Sequence, residues 1–196
     1  MKTELMFDYV VLGGGIVGVS TALSLITKHP DKRILLVEKE ESFAQHQTGH
    51  NSGVIHAGVY YEPGSLKAKF CREGLTETIK FCLLHKIPYQ QCGKLLVATN
   101  DTELKRMKEL YERCKSNDIE VEILNEKTLN EIEPNISGIG ALLVKSTGIV
   151  NYKLITKKMS EQFESLGGMF LLNTKIINLK EDEDKIQIIT SNEIFS

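Results

Sequence analysis

The sequence predicts an α/β fold built around a parallel β-sheet, and three observations support this prediction. Residues 9–12 form a short apolar run, which is followed at once by three glycines and then by a segment with helical periodicity. A second predicted strand at residues 33–37, apolar after Arg33, follows that segment and leads directly into the acidic residue Glu38. A strand, a tight turn, a helix and a second strand in this order are typical of the β-α-β unit of a parallel sheet.

The glycine turn has the G-x-G-x-x-G spacing of a dinucleotide site. Gly13 allows a tight turn, Gly15 lets the backbone approach a pyrophosphate, and Gly18 lets the helix pack closely on the strand. The helix N-terminus directs its free N–H groups and its positive dipole end at the phosphates. Glu38 follows about 20 residues later, where a Rossmann unit places its ribose-binding carboxylate. The alternative, a glycine-rich turn without a ligand, leaves this acid to chance.

Composition and charge are those of an ordinary globular chain. Of the 196 residues, 41% are hydrophobic and 26% are charged, which is ordinary for a globular protein. This length allows one large domain or two small ones. The formal net charge of -2 gives no basic excess for nucleic acid binding. The four cysteines lack C-x-x-C and zinc-ligand spacing, so we expect reduced thiols in a cytosolic chain. The uncharged run at residues 9–26 is interrupted by glycines, so we expect no transmembrane segment. Lys2, Glu4 and Asp8 precede it without a cleavage pattern, so we expect no signal peptide.

The most unusual stretch is residues 45–61, which contains three histidines, three glycines and two tyrosines with little helical or strand periodicity. This composition is typical of a loop that lies close against a ligand. A position at the polar surface explains His46 and His50 as well as a ligand contact does. For His56, a hydrogen-bonded structural role is as well supported as a functional one. A metal site is not expected, because no acid or cysteine joins these histidines at ligand spacing.

The remaining sequence predicts alternating helices and strands. Ser65 can cap a helix over residues 66–85, and Asn100 with Glu103 resembles a capping box that opens another helix. A further helix is predicted over residues 152–166, with Ile155, Met159, Phe163 and Leu166 inward. Predicted strands lie at residues 94–98, 120–124, 141–144, 169–172 continuing through 174–179, and 185–190.

Four stretches carry a resemblance to a known family: HQTGHNSGVIHAGVYY at residues 46–61, PGSLKA at 63–68, CGK at 92–94 and EPNI at 133–136. Together with the glycine turn, they resemble the bacterial L-2-hydroxyglutarate oxidase/dehydrogenase family of the D-amino-acid-oxidase superfamily. The resemblance covers essentially the whole chain, but only the N-terminal half of the family. It implies a Rossmann-like FAD-binding domain of the glutathione-reductase type with an inserted, incomplete α+β substrate domain.

The resemblance also implies an activity and a cofactor. Members of the family are flavoprotein oxidoreductases. They use FAD to oxidise L-2-hydroxyglutarate, a 2-hydroxy dicarboxylate, to 2-oxoglutarate. Electrons pass to oxygen or, in bacteria, to the membrane quinone pool. We therefore expect a cytoplasmic protein, or one held peripherally on the inner face of the cytoplasmic membrane, without a nucleic acid partner. Alternatives are an FAD oxidase or dehydrogenase of another amino or hydroxy acid, and an inactive nucleotide-binding fragment.

Site residues are carried over by position. The resemblance implies that Glu38 binds the adenosine ribose beside Lys39, and that Ile176 offers its backbone to the adenine. His56 and Tyr60 are the catalytic candidates on the substrate side of the flavin. The expected pyrophosphate-binding glycines are Gly13, Gly15 and Gly18, and the residues expected along the phosphates and flavin are Thr48, Asn51, Ser52, Gly53 and Val54.

The same resemblance predicts how the chain divides. Residues 1–86 are expected to form the first segment of the FAD-binding domain, 87–151 a partial substrate domain, and 152–196 the truncated return to the FAD-binding domain. The second FAD motif of the family lies outside this sequence. We therefore expect the isolated 196 residues to retain FAD weakly, to be poorly soluble and to produce no 2-oxoglutarate.

Overall fold

The computed structural model describes residues 6–190 and 194–195. These residues divide into two compact units, one with residues 6–51 and the described residues from 151 onward, and one of residues 52–150. The elements in chain order are β1 (Tyr9–Leu12), α1 (Ile16–Lys28), β2 (Ile34–Val37), β3 (Val54–Ile55), α2 (Leu66–His85), β4 (Tyr89–Gln90), β5 (Lys94–Ala98), α3 (Asp101–Ser116), β6 (Glu122–Asn125), α4 (Glu126–Ile132), β7 (Gly140–Val144), β8 (Gly148–Val150), α5 (Tyr152–Ser165), β9 (Met169–Leu171), β10 (Ile176–Glu181), β11 (Ile186–Thr190) and β12 (Ile194–Phe195).

The first unit is organised around a parallel sheet of three strands in the order β1-β2-β9. All four residues of β2 are buried, because this central strand is covered on both faces. One face packs against α1 and α5, and Leu35 and Val37 on the other face pack with Ile188 of β11. The buried residues of the helical side are Val19, Ala22, Ile26, Ile34, Leu36 and Phe163. The predicted α/β fold is therefore present.

Helix α1 begins directly after the glycine turn and carries the predicted apolar stripe. Val19, Ala22 and Ile26 are buried at helical spacing against the sheet. The helix ends at Lys28 because Pro30 lies just beyond it and cannot continue a helix. The uncharged run of residues 9–26 is thus divided between a strand, a turn and a helix. Among the described helices, none is long and apolar enough to cross a membrane.

The predicted long strand over residues 169–179 is wrong, because the chain turns in its middle. Strand β9 ends at Leu171 in the parallel sheet, and β10 begins at Ile176 in a separate antiparallel sheet of order β10-β11-β12. Asn173 between them has a left-handed backbone with φ +52°. Leu166 also departs from expectation: α5 ends at Ser165, and Leu166 beyond it is 53% exposed.

The second unit contains two small antiparallel sheets and three helices. One sheet has the order β3-β8-β4 and the other the order β5-β7-β6. Helix α2 has the predicted bounds, and the Ser65 side chain caps it by accepting a hydrogen bond from the Ala68 N–H at 3.2 Å. Helix α3 packs on β5 and β7 through Met107, which is buried with Leu142 of β7. The predicted α+β character of this part of the chain is therefore present.

The compact units and the predicted domains share one boundary near residue 151 but differ at the other. Helix α2 groups with residues 52–150, whereas the predicted FAD-binding segment extends to residue 86. Compactness reports where residues pack, and a cofactor domain is defined by what its residues bind. The division into residues 1–86, 87–151 and 152–196 by function therefore stays a prediction.

Candidate functional site

The glycine turn joins β1 to α1 in the tight geometry that its sequence predicts. Gly13 has φ +104°, a backbone conformation that side chains strongly disfavour, and its N–H donates to the Val37 carbonyl at 2.8 Å. Gly18 lies so close to the turn that an added Cβ would overlap the Gly13 carbonyl oxygen. The Gly13 N–H therefore fixes the turn to the end of β2. The close approach of α1 to the Gly13 carbonyl leaves no room for a side chain at position 18.

Glu38 lies directly beside the glycine turn, because β1 and β2 run parallel and end at the same edge of the sheet. Its side chain is only 8% exposed. One carboxylate oxygen accepts a hydrogen bond from the Gly14 N–H at 2.5 Å, and the other accepts from the Glu40 N–H at 2.9 Å. The predicted placement of Glu38 at the turn is confirmed. A ribose-binding role for this carboxylate stays a prediction.

The segment after Glu38 folds back over the turn through residues that the sequence analysis did not single out. The Ala44 N–H donates to the Gly14 carbonyl at 3.0 Å, and Ala44 itself has the left-handed φ of +61°. A Cβ on Gly14 would overlap the Phe43 ring and approach the Glu38 side chain. The only sequence signal for this packing was the second of the three consecutive glycines, at position 14.

Thr48 supplies the first turn of α1 with a hydrogen-bond acceptor. The residue at the N-cap of this helix is Gly15, which has no side chain to cap it, and α1 carries no acid in its first turn. The Thr48 hydroxyl oxygen accepts a hydrogen bond from the Ile16 N–H at 3.0 Å instead. The next N–H groups of the first turn have no acceptor within the helix. Helix N-termini of this kind bind phosphates, so the surroundings of Gly15 fit a pyrophosphate.

Lys39 and the first histidine of the loop lie around Glu40 at the surface. The Lys39 amine contacts the Glu40 carboxylate at 2.9 Å, and the His46 ring nitrogen contacts the same oxygen at 2.8 Å. These hydrogen bonds, with Lys39 first, hold the pKa of the Glu40 carboxyl below its ordinary value, and the pKa of Lys39 is raised. The His50 ring contacts the His46 carbonyl at 3.0 Å, so both histidines have local surface partners.

The other residues carried over for the cofactor occupy several elements. Asn51 donates its amide hydrogens to the Gln47 and Thr48 carbonyls, at 2.9 and 2.8 Å. Gly53 has φ +69°, which favours glycine. The remaining positions are Ser52, which is exposed, Val54, which pairs with Ile149 in the β3-β8 ladder, and Ile176, which begins β10. Their cofactor contacts stay predictions.

In the second unit, residues 56–61 form a strap whose main chain is held by two helices. The Cys71 thiol of α2 donates to the His56 carbonyl at 3.2 Å, and burial raises the pKa of this thiol. Near the end of α3, Arg113 donates to the Tyr60 carbonyl at 3.3 Å. The Asn117 side-chain amide donates to the Tyr61 carbonyl at 2.8 Å. The strap is therefore fixed even though it has little regular secondary structure.

The strap lines a small pocket that contains both catalytic candidates. The pocket has a volume of about 30 Å³, and its lining includes His56 and Tyr60 together with Lys94 and Thr147. Tyr60 is 57% exposed, and the Lys94 amine lies 5.1 Å from the centre of its ring. The structure thus brings His56 and Tyr60 to one pocket. Lys94 was noted only within the CGK stretch, and Thr147 carried no signal in the sequence.

A metal centre and a disulfide are both absent from the described part of the chain. Within residues 6–190 and 194–195, no group of three or more His, Cys, Asp or Glu side chains could hold a metal ion. Cys71, Cys82, Cys92 and Cys114 are free thiols.

The parallel β-α-β unit, the tight glycine turn and the acid at the tip of the next strand define a dinucleotide-binding protein. The sequence matches the family DAO, described as FAD dependent oxidoreductase, over residues 8–195, so the chain belongs to this family. The predicted fold class is confirmed, and the predicted cofactor, FAD, is confirmed as the cofactor of the family.

Individual relatives confirm the narrower resemblance. The chain is 52% identical over 185 residues to L-2-hydroxyglutarate dehydrogenase of Escherichia coli K12, a match that covers 94% of this chain and 44% of that protein. It is 46% identical over 166 residues to the mitochondrial L-2-hydroxyglutarate dehydrogenase of Mus musculus, covering 84% of this chain and 36% of that protein. The chain therefore spans less than half the length of these relatives.

Solved structures show the same architecture. The FAD-bound L-α-glycerophosphate oxidase of Mycoplasma pneumoniae is 26% identical with a TM-score of 0.87, covering 96% of this chain and 50% of that chain. Glycine oxidase of Geobacillus kaustophilus is 16% identical with a TM-score of 0.88, covering 98% of this chain and 53% of that chain. At 16% identity the second match indicates the fold alone.

Proposed function

We propose that the protein containing this chain oxidises L-2-hydroxyglutarate to 2-oxoglutarate with FAD as its cofactor. The observation that carries this proposal is the 52% identity to L-2-hydroxyglutarate dehydrogenase, which extends over 94% of the chain. A match of that extent includes residues from both compact units, and so from both the glycine turn and the strap. The geometry of the glycine turn supports the cofactor half of the proposal.

The cofactor would be held chiefly by the first β-α-β unit. Gly13, Gly15 and Gly18 would hold the pyrophosphate at the N-terminus of α1, where Gly15 lets the backbone come close and the Thr48 hydroxyl accepts from the Ile16 N–H. Glu38 would bind the adenosine ribose, with Lys39 beside it. Bound FAD would accept the hydride that leaves the substrate C2 carbon.

The remaining carried-over residues would complete the cofactor site. The residues proposed along the phosphates and flavin are Asn51, Ser52, Gly53 and Val54, and the backbone proposed at the adenine is that of Ile176. This assignment places the FAD-binding domain in residues 1–86 and 152–196 and leaves residues 87–151 as the partial substrate domain. The resemblance in residues 46–61 supports it.

His56 would take the proton of the substrate. Oxidation of a secondary alcohol removes a hydride from carbon and a proton from the hydroxyl oxygen, so a base is needed beside that oxygen. An imidazole nitrogen of His56 suits this task because the ordinary pKa of histidine lies near neutral pH. Its exposed side chain lines the same pocket as Tyr60, which would orient the hydroxyl with its phenol group.

The electrons would then pass to oxygen or to the membrane quinone pool. The second acceptor would require a cytoplasmic protein that is held peripherally on the inner face of the membrane. The reduced protein should then be reoxidised faster by vesicles that contain a quinone than by dissolved oxygen alone. An equal rate of reoxidation with quinone-free vesicles would exclude the quinone route.

The direct test is turnover by the purified, FAD-loaded protein. L-2-hydroxyglutarate should reduce an artificial electron acceptor and yield an equal amount of 2-oxoglutarate, whereas the D-enantiomer should not. L-Glycerol 3-phosphate is the informative competitor, because a solved neighbour at 26% identity is named as a glycerophosphate oxidase. Faster oxidation of that phosphate, or of an amino acid, would replace the proposed substrate. A protein without flavin absorbance after reconstitution would contradict the FAD proposal itself.

A further inference from the structure

Lys94 combines partial burial with the lack of an acidic partner, whereas most described lysines are exposed. Its side chain is partly buried at the start of β5, and it forms no ion pair within residues 6–190 and 194–195. Lys115 offers a direct comparison. That amine lies 5.4 Å from the centre of the Tyr111 ring and also contacts the Glu112 carboxylate at 3.2 Å. Lys94 lies over the Tyr60 ring at a similar distance but lacks the carboxylate.

The surroundings of Lys94 form a rigid, positively charged recess. Lys94 lines the pocket of about 30 Å³ together with the strap, and that volume has room for about two water molecules, so only a small polar group could enter it. The Arg113 guanidinium, which donates to the Tyr60 carbonyl, adds a second positive charge near this part of the strap and is without an ion pair in the described part of the chain. Acidic side chains do not contribute to the described lining.

A cation in a pocket without a counterion indicates an anionic ligand. Partly buried charges in proteins are usually paired, and a cation–π contact only partly replaces an ion pair. We propose that the Lys94 amine binds a carboxylate of the substrate in the pocket that contains His56. This inference rests on the proposed function, because L-2-hydroxyglutarate brings two carboxylates. A lysine donates to a carboxylate through charge-assisted hydrogen bonds, which are among the stronger hydrogen bonds in proteins.

The test compares Lys94→Met with Lys115→Met in the flavin-loaded protein. Both substitutions remove an amine that lies over a tyrosine ring and keep a flexible apolar side chain. Loss of a hydrogen bond to a charged group predicts that Lys94→Met raises KM for L-2-hydroxyglutarate on the order of 10- to 100-fold, with a smaller change in kcat. Lys115→Met should match the wild-type protein. Equal KM values for the two variants would overturn the proposal.

Binding without turnover provides a second measurement. Glutarate carries both carboxylates but no hydroxyl, so it should bind without being oxidised and perturb the flavin absorbance. The glutarate dissociation constant should rise by a similar factor in Lys94→Met, while flavin content and melting temperature stay equal to those of Lys115→Met. If Lys94→Met binds glutarate more weakly but also loses flavin or melts at a lower temperature, Lys94 has a structural role and the proposal is overturned. If the wild-type protein binds glutarate but oxidises no L-2-hydroxyglutarate, the proposed function fails while the Lys94 comparison still stands.

Discussion

Replacing Glu38 by glutamine should destabilise the protein even without its cofactor. Both carboxylate oxygens accept backbone N–H groups, one from Gly14 in the glycine turn and one from Glu40 after the strand. A glutamine offers one carbonyl oxygen and one amide nitrogen. In either orientation, the amide NH₂ group would face a backbone N–H, which is a donor against a donor. The glycine turn would therefore lose part of the hydrogen bonding that shapes it.

The expected magnitude follows from the burial of this side chain. Glu38 is 8% exposed, so water cannot readily replace the lost acceptor. A hydrogen bond to a charged group contributes about 1.5–3 kcal/mol, and we expect Glu38→Gln to lower the free energy of unfolding by about that much. For a chain of this size, such a loss corresponds to a fall in Tm of roughly 3–12 °C.

The assay is thermal unfolding of flavin-free protein, followed by circular dichroism. Glu41→Gln is the matched control, because Glu41 is exposed, lies three positions further along the chain and loses the same charge. The control should melt within about 1 °C of the wild type, as exposed substitutions have small effects. If flavin-free Glu38→Gln melts together with the control, then Glu38 contributes nothing to the shape of the turn, and the hydrogen-bond reasoning is wrong.

Three further outcomes are expected. Gly15→Val should abolish flavin retention, because a branched side chain fills the space that a pyrophosphate needs; normal flavin absorbance of the purified variant would contradict this. His56→Ala should lower turnover on the order of 100-fold while flavin content is unchanged, and near-normal turnover would restore a structural role for this histidine. Hydrogen bonds from the Arg33 N–H and the Lys32 amine lower the pKa of the Asp8 carboxyl below 3.8. Their stabilisation is present above that value and lost as pH falls through the folded-state pKa. The small urea-midpoint difference between wild type and Asp8→Asn should therefore disappear in acid, and a constant difference would refute the assignment.

Features set by neighbouring residues could be predicted from the sequence. The bounds of α2 were correct because Ser65 caps its first turn and because His85 is followed by Lys86, which adopts a left-handed backbone at the C-cap. The glycine turn and Glu38 were placed correctly because parallel strands end at one edge of a sheet. The capping box was correct in part: Asn100 accepts from the Glu103 N–H, but Glu103 reaches back to Thr99 instead.

Features that depend on distant residues could not be predicted in the same way. The Thr48 hydroxyl meets the Ile16 N–H across 32 positions of sequence, and no local pattern specifies that pairing. The long strand predicted over residues 169–179 failed for a similar reason. The N–H groups of Asn173 and Thr174 donate to the Glu40 and Glu38 carbonyls, so the segment after β9 is bound to the loop after β2 and turns away from the strand direction.

The attachment of the strap has a consequence for how its chemistry could change. Cys71, Arg113 and Asn117 all donate to backbone carbonyls, at positions 56, 60 and 61. Every residue type carries that carbonyl, so the fastening does not depend on which side chains the strap presents. Substitutions at positions 56 and 60 could therefore alter the molecules that this pocket accepts without loosening the loop. A library randomised at those two positions should yield mostly folded proteins, and the members that keep His56 are those expected to oxidise a different substrate.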